Sequence, residues 1–314
     1  MCISVHQLCY VHADKEPLFQ DINLTVNKGQ RLALVGNNGT GKSTLLRIIE
    51  GSLQPSSGEI ICSSRPYYIP QHFGQFDRLT VAEALGVDDR IKAFHAILEG
   101  DTSVENFISL NDDWNVEERC LSALAFWDLG HLQLSRPMHS LSGGEKTKVF
   151  LSGILVHAPE IILMDEPTNH LDVASREKLY EMVKNGRSTM LIVSHDRMLL
   201  NLLPCICELE RNAITLYGGN FDFYKEQKEL ALTALQNRLG EKKKELRQAC
   251  KLAREVMERK NKMNARSEKY AFKKGMSRMA VNTLKDKAEK STVRLGDTHE
   301  EKMVSLQDLS LIHI

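Results

Sequence analysis

Two short stretches carry residues suited to handling a phosphate anhydride. Gly36, Asn37, Asn38, Gly39, Thr40, Gly41, Lys42, Ser43 and Thr44 fit the pattern G-x-x-x-x-G-K-[ST], directly after the apolar run Arg31-Leu-Ala-Leu-Val35. A loop of this kind turns backbone N–H groups toward phosphate oxygens at the start of a helix, where the helix dipole also favours an anion. Lys42 would then reach the β and γ phosphates, and the Ser43 hydroxyl would ligand Mg²⁺. The second stretch, Ile161-Ile-Leu-Met-Asp165-Glu166, ends an apolar strand in two carboxylates. A metal-bound nucleotide needs that pair: Asp165 to hold Mg²⁺ through water, and Glu166 to polarise an attacking water.

Such groups need strands to enter the loops and helices to leave them. Short β-like runs alternate with turn signals at Ile3 to Leu8, Ile22 to Val26 and Arg31 to Val35, and the glycine loop opens a helix expected from about Lys42 to Glu50. Gln54-Pro-Ser-Ser-Gly-Glu59 reads as a turn, and Glu59 to Cys62 as a further strand. From Leu79 to about His139 the spacing becomes helical, with Trp114 and Trp127 expected to pack it. Ile161 to Met164 and Met190 to Val193 read as buried parallel strands separated by a helix near Ala174 to Lys184. The expected fold is therefore α/β, with a helical subdomain at about 79–140 inserted into it.

The last part of the chain is of another kind. Its formal charge of zero conceals an asymmetry: residues 1–224 hold 19 Lys/Arg against 28 Asp/Glu, whereas residues 225–302 hold 22 against 12. No proline follows Pro204, and apolar residues recur at spacings of three and four through Leu232, Leu235, Leu239, Leu246, Ala249, Ala253, Val256 and Met263. A second such run is Val281, Leu284, Ala288 and Leu295. Two helices joined near residues 264–280 and packed as an antiparallel hairpin satisfy both seams.

Seven cysteines, at 2, 9, 62, 120, 205, 207 and 250, are odd in number and contain no C-x-x-C pair, so reduced structural thiols are expected. No apolar run approaches the ~18–20 residues needed to span a bilayer, and the N-terminus lacks a basic region followed by an apolar core. The expected setting is cytoplasmic, without a membrane partner.

A further stretch makes a family resemblance specific. Leu141-Ser142-Gly143-Gly144-Glu145-Lys146 resembles the signature of ATP-binding cassette (ABC) ATPases and lies upstream of Asp165, where that family places it. The resemblance implies a P-loop ATP-binding cassette with ATP and Mg²⁺ as cofactors. It also implies that Ser142, Gly143 and Gly144 close over the γ-phosphate held by an opposite cassette. Gln71, in Tyr-Tyr-Ile-Pro-Gln71, resembles the glutamine that links Mg²⁺ and water to the helical subdomain. His195, in Ile-Val-Ser-His195-Asp, resembles the switch histidine at the γ-phosphate, and Tyr10, 26 residues before Gly36, the aromatic under the adenine ring. Glu166 and His195 are thus the implied catalytic residues, and Ser43, Gln71 and Asp165 the implied metal site.

Glu166-Pro-Thr-Asn-His-Leu-Asp172, Ser194-His-Asp-Arg197 and Tyr217-Gly-Gly-Asn-Phe-Asp-Phe-Tyr224, leading into a charged helical segment, resemble the ABC-F branch. Members of that branch join two cassettes in one chain through such a linker, and many act on ribosomes as translation factors or antibiotic-protection proteins. The resemblance implies a cassette at 1–224, a basic hairpin linker at 225–302 that meets rRNA and tRNA on the ribosome, and a second cassette as partner. Residues 303–314 are expected to begin that second cassette, because Ile3 to His12 can be laid without gaps over Val304 to His313 with Ser, Leu and His identical. A second copy of the chain could supply the cassette instead. Two other readings stay open. An ATPase subunit of a membrane transporter has no use for the basic hairpin, and a purely structural coiled coil would mix its charges more evenly.

Overall fold

A computed structural model describes residues 2–12, 16–211, 213–273 and 279. In chain order the elements are β1 (Ile3–Val11), β2 (Pro17–Val26), β3 (Arg31–Val35), α1 (Lys42–Glu50), β4 (Ser57–Cys62), β5 (Tyr67–Ile69), α2 (Val81–Ala84), α3 (Asp88–Leu98), α4 (Val104–Leu110) and α5 (Val116–Phe126). They continue with α6 (Gly143–His157), β6 (Ile161–Asp165), α7 (Val173–Asn185), β7 (Thr189–Val193), α8 (Arg197–Asn201), β8 (Cys205–Leu209), β9 (Ile214–Gly218) and α9 (Phe221–Lys273).

Two sheets result. β2, β1 and β4 form an antiparallel sheet in that order, and β5-β6-β7-β3-β8-β9 form a six-stranded sheet that is parallel except for the β8–β9 pair. β6 and β7 are buried along their whole length, as strands covered on both faces must be, and their apolar runs are continuous for that reason. Alternate residues of the central strands feed two cores. Leu32, Leu34, Ile161, Leu163, Leu191 and Val193 pack with α1 and the antiparallel sheet. Ala33, Ile162, Met164, Met190 and Ile192 face α6, α7 and the helical subdomain.

α2 to α5 form the expected helical insertion. Trp127 is fully buried in it, whereas Trp114 is 44% exposed and rests edge-on against Phe107, so only one of the two tryptophans is a core residue. None of the seven cysteines is in a disulfide; Cys207 is buried on β8, and Cys205 is half-buried against the same core. None of the described helices is long and apolar enough to cross a membrane.

The chain divides into two compact units after Lys225. In the first, the ring of Phe221 and that of Tyr224 pack on the core, and the Tyr224 hydroxyl donates to Glu208 Oε1 at 3.0 Å. α9 runs unbroken to Lys273, into the stretch 264–280 near which the two helices are expected to join. The apolar seam thins after Met263, but Asn264 to Lys273 contains neither Gly nor Pro, and a solvated helix made of good helix formers needs no seam to continue. The expected return arm at 281–302 and the start of a second cassette at 303–314 lie outside the described residues.

Candidate active site

The site is built at the carboxyl ends of β3, β6 and β7, the edge at which open α/β sheets bind ligands. β3 delivers the glycine loop, whose last glycine, Gly41, caps α1 with φ 95°. A Cβ there would stand 2.6 Å from Leu18 Cδ2, so both backbone conformation and space call for glycine. Lys42 curls over its own loop, Nζ donating to the carbonyls of Gly36 at 2.8 Å and Asn37 at 3.0 Å. Burial lowers its pKa, against the pull of Glu166 and Asp165.

β6 ends in the two carboxylates, both buried. The Tyr68 hydroxyl donates to Asp165 Oδ2 at 3.3 Å, while Oδ1 is buried without a hydrogen bond. Glu166 adopts the left-handed conformation at φ 50°, uncommon for a residue with a side chain. Its N–H donates to the Val193 carbonyl at 2.8 Å. The backbone N–H of His195 donates to Glu166 Oε2 at 3.2 Å, and the His195 ring Nε2 lies 3.5 Å from Oε1, which is buried and makes no hydrogen bond. Burial raises the pKa of both carboxyls above the ordinary range.

A cavity of about 590 Å³ unites these groups: Asn38, Gly39, Gly41, Lys42, Ser43, Thr44, Gln71, Asp165, Glu166 and His195 all line it. Thr40 is turned inward to the loop, its hydroxyl donating to the Asn37 carbonyl. Gly36 and Asn37 line a second, smaller cavity that also reaches Lys42 and His195. Asp165, with its orphaned Oδ1, lines this cavity together with Ser43 and Gln71, and the three offer a set of hard oxygen donors. Among the described residues no group of three or more His, Cys, Asp or Glu forms a metal cage. That combination fits Mg²⁺, which keeps waters and substrate phosphates in its shell rather than demanding an all-protein site.

Tyr10 does not line the cavity. Its ring is half-buried against Phe19 and stands edge-on to His12, 5.4 Å between centroids, and it is His12, with Leu18, that faces the cavity. Asn169 and Val193 are further wall residues that motif and spacing did not single out. Asn169 could have been found inside the quoted Glu166 to Asp172 motif.

Ser142, Gly143 and Gly144 are also absent from the cavity wall. They open α6, where Ser142 accepts from the Glu145 N–H at 3.3 Å and the Glu145 carboxylate accepts from the Ser142 N–H at 2.7 Å, a capping box. A Cβ on Gly144 would meet the His170 carbonyl oxygen at 2.6 Å. This glycine is therefore required by close packing within the chain, while Ser142 remains exposed.

Residues 19–169 match the family model described as ABC transporter. Among curated proteins, the chain is similar to the uncharacterized ABC transporter ATP-binding protein YkpA of Bacillus subtilis, with 31% identity over 78% of this chain and 49% of that protein. It is 30% identical to ABC transporter F family member 2 of Arabidopsis thaliana over 72% of this chain and 30% of that protein. To the tylosin resistance ATP-binding protein TlrC of Streptomyces fradiae it is 28% identical, over 88% of this chain and 55% of that protein. The matched part thus spans from under a third to about half of these relatives. A solved dimeric bacterial ABC transporter cassette shares the fold, with TM-score 0.53 and 22% identity over 69% of this chain and 98% of that one.

Proposed function

Since this chain carries an ATP-binding domain of the ABC transporter type, we propose that it hydrolyses ATP to ADP and phosphate at a site completed by a second cassette. The observation that carries this reading is the pair of buried carboxylate oxygens, Asp165 Oδ1 and Glu166 Oε1, left without hydrogen bonds beside Lys42 in one cavity. Buried polar atoms are almost always satisfied, and orphans at a phosphate loop are the mark of groups kept for substrate. Ser43 and Asp165, with Gln71 lining the same cavity, would hold Mg²⁺, which when bound would supply charge neutralisation to the phosphates. The loop N–H groups and Lys42 orient the triphosphate, and Glu166 accepts a proton from water as the water oxygen attacks the γ-phosphorus and the bond to the β-phosphate oxygen breaks. His195, whose backbone N–H bonds Glu166, holds that carboxylate in place and turns its exposed ring toward the γ-phosphate. Because 142–144 line no part of this cavity, they are free to serve the site of another cassette.

The same reading extends to ABC-F-type action on the ribosome in the cytoplasm, with residues 225–302 as a linker that meets rRNA and tRNA. What supports it is the basic excess of 22 Lys/Arg over 12 Asp/Glu in that segment, the long α9, and relatives of which one bears the F-family name and another a drug-resistance name. In a protein supplied with a second cassette, Glu166→Gln is expected to keep ATP affinity and lose roughly 10²- to 10⁴-fold in turnover, whereas Lys42→Ala weakens binding itself. Equilibrium nucleotide binding measured beside steady-state hydrolysis separates the two. Equal, mild effects of both changes would sink the assignment.

A further inference from the structure

α4 is amphipathic but presents its apolar side to solvent. Val104, Phe107 and Ile108 fall at i, i+3 and i+4, which places them on one face of the helix, and they are 72%, 43% and 71% exposed. Leu110 is the one residue of α4 that is fully buried. The ridge continues through Trp114, whose ring meets Phe107 edge-on with centroids 6.2 Å apart. A surface helix ordinarily turns such a stripe inward, and a contiguous exposed apolar patch with a polar rim marks an interaction site.

The rim is acidic. From Glu99 to Glu118 the chain holds seven carboxylates and neither Lys nor Arg. Asp113 is held by Arg90 and Arg119, and Glu117 faces His95. Glu99, Asp101, Glu105, Asp112 and Glu118 have no cationic partner among the described residues. A rim of this sign repels RNA phosphates and anionic lipid, while the ridge between demands apolar contact. We propose that the α4 ridge is a docking surface for a protein partner that presents a basic amphipathic helix, its apolar face on Val104, Phe107 and Ile108 and its flanking Lys and Arg on the carboxylate rim. This goes beyond ATP hydrolysis and beyond RNA contact by residues 225–302, and it stands whether or not those hold.

The chain itself supplies a reporter. Of its two tryptophans, Trp127 is fully buried and Trp114 lies on the ridge, so a change in emission reads the ridge. The full chain is titrated with a Trp-free amphipathic Leu/Lys peptide, its Leu/Glu counterpart, anionic phospholipid vesicles and a single-stranded RNA. The expected result is a saturable blue shift with the Leu/Lys peptide alone, weakened by salt. Ile108→Asp, which leaves the core untouched, should raise the Kd at least about tenfold by removing one large apolar side chain from the ridge. Glu105→Lys should also weaken binding while the fold, followed by circular dichroism, is unchanged. No saturable shift, equal affinity for the Leu/Glu peptide, or indifference to Ile108→Asp would overturn the docking surface. A shift produced by vesicles or RNA would overturn the partner's chemistry. RNA binding seen by co-sedimentation without a change in Trp114 emission bears on the ribosomal reading alone.

Discussion

Glu166 and Asp165 are held where water reaches them poorly, and that placement has a stability cost with a definite sign. Burial raises both pKa values above those of the unfolded chain, so the stability in question is fully present below the ordinary carboxylate pKa and is lost as pH rises through the raised folded values. Glu166→Gln removes one ionisation and is expected to raise the Tm of ligand-free protein near neutral pH, with the gain closing below about pH 4 where both forms are neutral. Calorimetry across that range checks it, and a gain that grows in acid would contradict it. His12 carries a second expectation at this scale. If its ring lies under the base, His12→Ala should weaken binding of a fluorescent ATP analogue by about 1–3 kcal/mol, the size of one base–aromatic stack, while Tyr10→Phe leaves it unchanged. That Gly41, Lys42, Ser43, Asp165 and Glu166 meet in one cavity is legible in the sequence, because glycine, lysine, serine and strand-end carboxylates stand at fixed spacings. The ring that faces the cavity is not, because His12 lies just past the end of β1 and the strand shifts register on both sides of Tyr10. Which ring reaches the cavity is then decided by local irregularity that no spacing encodes.

Asp172 ties two elements of the site together. Its carboxylate caps α7 by accepting from the Ser175 N–H at 2.8 Å and accepts from Lys148 Nζ of α6 at 2.9 Å. The Lys148 ammonium and the Ser175 N–H hold its pKa well below the usual carboxylate range. Asp172→Ala is expected to cost about 1 kcal/mol, the usual value of an N-cap, measured by urea unfolding. Because the folded pKa is depressed, the contribution is present above the ordinary carboxylate pKa and is lost as pH falls through the depressed value, so variant and parent should converge in strong acid. A constant difference at all pH values would mean that the cap's charge plays no part. Elements with a covered face or a capping residue are legible in this chain: β3, β6 and β7 as continuous apolar runs, α1 and α7 within a residue or so at each end. The short edge strand β9, whose exposed and half-buried residues lack a buried run, is not marked in that way. Nor does the extent of α9 follow from its apolar seam, since propensity carries the helix at least to Lys273, ten residues past Met263.

At the scale of the whole molecule, the nucleotide cavity lies in one unit and the excess of positive charge in the other. If catalysis needs the 142–144 loop of a second cassette, the 314-residue chain should bind ATP yet turn it over slowly when dilute, and specific activity should rise with protein concentration as two copies associate. A dilute monomer, verified by light scattering, with full and concentration-independent turnover would contradict the composite site. The basic unit carries the last expectation. α9 is 53 residues long, roughly 80 Å at 1.5 Å per residue, a length suited to entering a deep RNA-lined cleft. Near its end Lys269 and Lys273 alternate with Tyr270, and Lys274 and Arg278 follow in sequence outside the described residues. Cations neutralise phosphates and aromatic rings stack on bases or riboses, so this stretch is the expected point of RNA binding. A two-cassette protein with Glu166 and its counterpart changed to Gln should co-sediment with ribosomes in ATP, and the association should weaken with salt as counterions are released. Replacing Lys269, Lys273, Lys274 and Arg278 by Glu should lower the affinity and flatten the plot of log K against log salt by roughly 0.7–0.9 for each phosphate that is no longer neutralised, with ATP affinity unchanged. A flattened slope separates the removal of charge from a misfolded tip, which would lower binding without that graded dependence. If the substituted protein binds with the original affinity and slope, the helix is a spacer and the ribosomal reading loses its main physical support.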